Sequence, residues 1–160
     1  MEAMSNMYDN ILVPHAGTNA GDKALEHAKE IAKKHDAKIT LLHIVENIPI
    51  PPSLTFNFER KELAKEIKHA RSELKKEMHK SLDSKAKKLR NQGIATTIKV
   101  LHGYPDEEIT RIANEQGYDI VIMAKRRKLP GLKAILQLGS VSRKVLERTS
   151  IPVLLIDGAK

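Results

Sequence analysis

The sequence predicts an α/β domain built on a parallel sheet with helices on both faces, and three observations carry that expectation. Short, densely apolar runs alternate with stretches whose apolar residues recur every three or four positions. The alternation is regular and reads β-α-β-α-β-α-β-loop-α-β. The short runs are almost continuously apolar, as strands covered on both faces must be.

Asn10-Ile11-Leu12-Val13-Pro14 is the first such run, and its closing proline marks a strand end. Over Asn19–His35, residues Ala20, Ala24, Leu25, Ala28, Ile31 and Ala32 fall at helical spacing, with Thr18 or Asn19 placed to cap the helix. Residues 38–45 (KITLLHIV) are rich in β-branched side chains and predict the second strand. The Ile48-Pro49-Ile50-Pro51-Pro52 stretch can neither extend a ladder nor start a helix, so 46–57 is expected to be a loop.

The longest helical pattern covers 59–91. Leu63, Ile67, Ala70, Leu74, Met78, Leu82, Ala86 and Leu89 form a stripe expected to be core along its whole length, and Gly93 closes the helix. Residues 94–101 predict the third strand. Pro105 opens a helix to residue 116, whose first turn carries Asp106, Glu107 and Glu108. Acids there suit the positive end of the helix, so they read as exposed capping residues and not as paired catalytic carboxylates. Residues 119–124 predict the fourth strand, 125–137 a long loop, Ser140–Arg148 a helix and 151–156 the last strand. Residues 1–7 are expected to be a flexible leader, and 8–160 a single domain without internal repeats.

Composition narrows the function classes. The 160 residues contain no cysteine, which excludes disulfides, a thiol nucleophile and thiolate metal sites. No apolar run approaches the roughly 20 residues of a membrane span. The start shows no secretory pattern, so a cytoplasmic location away from membranes is expected. The formal charge of +8 favours anionic ligands. Yet only Tyr8, Phe56, Phe58, Tyr104 and Tyr118 are aromatic, so the charge lacks the stacking platforms of a single-strand binder, and nucleic acid is not the expected partner. The seven histidines show no HExxH spacing, and His43, inside an apolar strand, reads as a satisfied core residue and not as a metal ligand. There is no Gly-x-Ser-x-Gly elbow and no Walker A loop. No catalytic residue, metal site or required cofactor is expected, and the chain is read as a binding module and not an enzyme.

Three segments carry a family resemblance. The opening ILVPHAGTNAGDKALEHAKEIAKKHDAKITLLHIVE, the central HGYPDEEITRIANEQGYDIVIMA and the closing LGSVSRKVLERTSIPVLLI resemble, in order and spacing, the universal stress protein family over nearly all of 8–156. The resemblance implies a doubly wound five-stranded parallel sheet in the order 3-2-1-4-5, of the adenine nucleotide α-hydrolase-like type. Open sheets of this kind bind ligands beyond the carboxyl ends of their strands, at the point where the strand order reverses. That places a nucleotide-type pocket beside Pro14, His15, Ala16, Ile44, Met123 and Ala124, with Arg127, Gly139, Ser140 and Val141 closing it. The implied ligand is ATP or AMP.

The family's Gly-x-x-Gly turn has Ala124 and Arg127 in place of its glycines, while Gly139-Ser140 matches its second half. The eleven residues between Arg127 and Gly139 include Pro130 and Gly131 and lengthen the loop. Ala16 replaces the acidic residue usual after the first strand. Lys125, Arg126 and Lys128 bring positive charge to the same mouth and are candidate anion contacts. The expectation is therefore an altered site for an adenine nucleotide or another small anion. A ligand-independent module that acts on a protein partner and a weak nucleotide hydrolase are the alternatives. The resemblance also implies a homodimer through Val153, Leu154, Leu155 and Ile156, since pairing with a second copy hides an apolar edge strand.

Overall fold

The computed structural model describes residues 6–47, 58–125 and 140–158. The 48–52 proline stretch and most of the 125–137 loop lie outside the described residues. Five parallel strands form one sheet in the order β3-β2-β1-β4-β5: β1 Asn10–Pro14, β2 Lys38–Glu46, β3 Thr96–Gly103, β4 Ile120–Lys125 and β5 Val153–Asp157. Four helices connect them: α1 Asn19–His35, α2 Phe58–Asn91, α3 Pro105–Glu115 and α4 Ser140–Arg148.

The sheet separates two cores. Ile11, Val13, Ile39, Leu41 and Ile122 point to one face, where Ala24, Ala28 and Ala32 of α1 and Leu82, Ala86 and Leu89 of α2 cover them. Leu12, Leu42, Val121 and Met123 point to the other, beneath Ile109 and Ile112 of α3 and Val145 of α4. Successive strand residues alternate between these faces, and both faces are apolar because both are covered.

Helix ends follow the chemistry of their residues. Thr18 caps α1, its Oγ1 accepting from the Gly21 amide at 3.2 Å. At the end of α2, Gly93 adopts φ +81°, the Gly93 amide donates to Arg90 O, and the Ile94 amide donates to Leu89 O. That double bond pattern is a Schellman cap, and it uses Ile94 as its apolar closing residue. This is why β3 begins at Thr96 and not at 94. β4 begins at Ile120 because the Asp119 carboxylate turns back to accept from the Asp9 and Asn10 amides, at 2.9 and 2.8 Å. β5 begins at Val153 because Pro152 has no amide to give the ladder. Asn6, inside the expected leader, donates from Nδ2 to His35 O at 2.8 Å.

Two expectations need correction. The α2 stripe is core only in its second half: Leu82, Ala86 and Leu89 are buried, whereas Leu63 is 37% and Leu74 54% exposed. The cause is length. A helix of 34 residues runs about 51 Å, while the nine residues of β2 span about 30 Å, so α2 outruns the sheet that could bury it. Asp106 is not a bare capping acid either. Its side chain is only 13% exposed and meets Lys144 Nζ at 3.1 Å and Arg148 Nη1 at 3.7 Å, pinning α3 to α4.

Candidate functional site

The sheet opens where its strand order reverses. β1 and β2 stay in register through Pro14 opposite Leu42, and the His15 amide extends the ladder to Leu42 O at 2.8 Å. On its other side β1 pairs with β4 only at Ile11–Ile120 and Leu12–Val121. Beyond that point Pro14 has no amide to donate, and the ends of β1 and β4 enclose a cleft of about 920 Å3. This lies in the upper part of the roughly 300–1,000 Å3 range of small-molecule sites.

Pro14, His15, Ala16, Ile44, Met123, Ala124, Lys125, Ser140 and Val141 all line this cleft, so the sequence-derived candidates among the described residues converge on one place. Arg126, Arg127, Lys128 and Gly139 lie outside the described residues. The amino ends of two helices reach the rim: Asn19, Ala20 and Gly21 of α1, and Ser140 of α4. Free backbone amides and the helix dipole make such ends favourable to negative charge. Lys125 stands at the end of β4 with its Nζ 3.5 Å from Asp157 Oδ2.

His15 does not offer its ring to the cleft. The Gly17 amide donates to Nδ1 at 2.9 Å, which fixes the ring proton on Nε2, and Nε2–H donates to Asp22 Oδ1 at 2.9 Å. Lys85 of α2 donates to the same Asp22 oxygen at 2.6 Å. The side chain of His15 is fully buried. Burial holds its imidazole below the ordinary range; the Asp22 bond pulls the other way without prevailing, and Lys85 adds to the depression. For Asp22, burial opposes ionisation, but the bonds from Lys85 and His15 win and hold the carboxyl below the usual range. Gly21 is required here: a Cβ would sit 2.9 Å from the His15 ring. The result is a rigid turn between β1 and α1, tied to α2 through Lys85.

His43 departs from the expected core role. It is half-buried in the cleft wall, its Nδ1 2.8 Å from His15 O. Arg71, Leu74 and Met78 of α2 also line the cleft. Sequence reading took Leu74 and Met78 for core and did not single out Arg71. The available signal was the length of the α2 stripe, which exceeds what the sheet can cover.

The fold and cleft define a class: a doubly wound α/β protein with an open ligand cleft at its switch point. The universal stress protein family model matches residues 7–157. The chain is 31% identical to the universal stress protein MJ0577 of Methanocaldococcus jannaschii, over 96% of this chain and 97% of that one. It is 32% identical to the universal stress protein YxiE of Bacillus subtilis, over 94% and 99%. The solved structure of MJ0577 superposes with a TM-score of 0.75, covering 94% of this chain and 96% of that chain at 27% identity. A universal stress protein solved in complex with cAMP shares the fold at a TM-score of 0.64 and 18% identity, covering 95% of this chain and 98% of that one. One from Archaeoglobus fulgidus in complex with dAMP does so at 0.58 and 19%, covering 94% and 99%. This chain belongs to the universal stress protein family.

Proposed function

We propose that this chain is a stress-response module that binds an adenine nucleotide, or a small anion of similar shape, in the switch-point cleft, and that its role is binding and not turnover. The observation that carries the reading is the opening between β1 and β4, flanked by the amino ends of α1 and α4. The cAMP and dAMP complexes of fold neighbours support the ligand class. Ile44, Met123 and Val141 supply apolar walls for a base. Ser140 and Lys125 supply phosphate contacts, and the sequence candidates Arg126, Arg127, Lys128 and Gly139, outside the described residues, are proposed as further ones. ATP or AMP is the nucleotide proposed, and no cofactor is proposed as required.

The chain is further proposed to act as a homodimer. β5 is an edge strand, bonded on one side to β4, and Val153, Leu154, Leu155 and Ile156 are all half-buried in the single chain. A second copy pairing along this edge completes both the ladder and the burial. Ultracentrifugation checks it: the wild type sediments as a dimer, and a Val153→Asp/Leu155→Asp variant as a monomer.

The ligand is tested by mass spectrometry of denatured protein purified without added nucleotide, with thermal melts in AMP, ATP and cAMP. Ligand at a hundredfold excess over Kd stabilises by about 2.7 kcal/mol, which for a chain this size raises Tm by about 5–10 °C. No co-purified nucleotide and no shift with any of the three overturns the ligand assignment.

A further inference from the structure

His43 stands on β2 and His15 directly follows the neighbouring β1, and their hydrogen bonds fix the proton on each ring. A carbonyl oxygen can only accept, so the 2.8 Å contact to His15 O requires the His43 proton to sit on Nδ1. A neutral imidazole then carries a bare lone pair at Nε2. That atom has no hydrogen-bond partner among the described residues and is not enclosed, and His43 is one of the residues that line the cleft.

The carbonyl that sets this tautomer cannot swing away. The His15 ring is held at both nitrogens, by the Gly17 amide and by Asp22, and Asp22 is held by Lys85 from α2. The His15 amide is held in turn by Leu42 O. Gly21 presses on the ring with no room for a Cβ. The turn therefore presents its carbonyl at a fixed place, and His43 is fixed by that carbonyl. An acceptor at a cleft whose rim carries helix amino ends and Lys125 selects against a bare anion, because phosphate oxygens would meet the Nε2 lone pair.

We infer that His43 is a specificity-determining residue of the cleft, a fixed-tautomer acceptor that takes a hydrogen bond from a neutral donor of the ligand, a sugar hydroxyl or a base amine. The inference rests on the nucleotide reading of the cleft and deepens it. His43 distinguishes a nucleoside-type ligand from inorganic phosphate, while the α4 side of the cleft holds the charge.

The test is titration calorimetry of the wild type, His43→Phe and His43→Gln with AMP, 2′-deoxy-AMP, 3′-deoxy-AMP, purine riboside 5′-monophosphate and inorganic phosphate. The wild type is expected to bind one donor-lacking analogue about tenfold more weakly than AMP, the worth of one hydrogen bond. His43→Phe should bind AMP about tenfold more weakly and lose that discrimination, and His43→Gln, which keeps an acceptor near the Nε2 position, should recover part of it. In nitrogen NMR of the wild type, AMP should move the His43 Nε2 resonance upfield while Nδ1 stays protonated. If AMP binds but the wild type holds every analogue equally, or His43→Phe keeps every affinity ratio, or Nε2 does not move, the inference falls and the nucleotide reading stands. If AMP does not bind the wild type at all, the nucleotide reading itself falls and takes the inference with it. Should His43→Phe fail to fold, His43→Gln and the wild-type resonance decide.

Discussion

The two halves of α2 carry the same apolar spacing and do different work. In the second half Leu82, Ala86 and Leu89 are buried against the sheet, and Lys85 reaches Asp22 on α1. In the first half Leu63 is about one-third and Leu74 about half exposed, and where the halves meet Arg71, Leu74 and Met78 wall the cleft. A stripe of constant period thus becomes core where a sheet lies beneath it and a ligand wall where the sheet has ended. The lesson is that period specifies which face turns inward, while the length of the partner decides whether that face is covered.

The contrast breaks most directly at Leu82. Its side chain is fully enclosed, so Leu82→Ala should cost about 2–5 kcal/mol, read as a lowered urea midpoint. A loss below about 1 kcal/mol would mean the second half is not the anchor described. Next is the tie between α1 and α2. Asp22→Ala leaves the buried His15 Nε2–H without an acceptor and frees Lys85, and should cost about 1–3 kcal/mol in the same measurement.

The same anchor makes stability depend on pH. The folded chain holds His15 below its ordinary value of 6.5, so the unfolded chain binds that proton first. Stability from this group is complete above about pH 6.5 and falls as pH drops from there toward the depressed folded value. The slope cannot exceed about 1.4 kcal/mol per pH unit for one proton. Asp22 acts lower down: its depressed carboxyl contributes above its ordinary 3.8 and loses that contribution as pH falls further. Denaturation midpoints of the wild type against His15→Gln between pH 7 and 5 check the first window (~7 to ~5, around the free histidine value). Parallel curves would remove His15 from the account.

The smallest stability effect is expected in the first half of the helix. Leu74→Ala should change stability by no more than about 0.5 kcal/mol. Because Leu74 lines the cleft, it should still weaken AMP by a factor below about tenfold in calorimetry. A large stability loss there would erase the difference between the halves.

Much of the fold was legible because period is a local property. All nine elements among the described residues follow from runs of apolar residues and from Pro, Gly and Thr at their ends, with errors of one or two residues where a cap or a side-chain bond claimed the terminal position, as at Ile94 and Asp119. The β-end half of the cleft was legible through the switch-point rule and the family resemblance. The α2 wall was not read, because the stripe's period looks the same throughout and only its excess length over the strands shows that part of it must lie beyond the sheet. Nor was the His15–Asp22–Lys85 cluster, whose last two members are 63 residues apart and meet only when α1 and α2 lie side by side. His43 was misread for a related reason: an apolar strand context hides that this residue is half-buried and lines the cleft.

The tight crossing at Gly158 has a practical consequence. A Cβ there would fall 2.3 Å from the Ala20 Cβ, so the backbone leaving β5 lies directly on the first turn of α1, at the rim of the cleft. The chain enters the domain at the opposite end of the sheet, where Asn6 is bonded to the last turn of α1. A fluorophore or fusion partner grafted close behind Gly158 therefore starts beside the ligand doorway and reports on it, or obstructs it. One grafted ahead of Asn6 starts a full strand length away and leaves the doorway clear, which makes the front of the chain the place for an affinity tag and the back the place for a sensor.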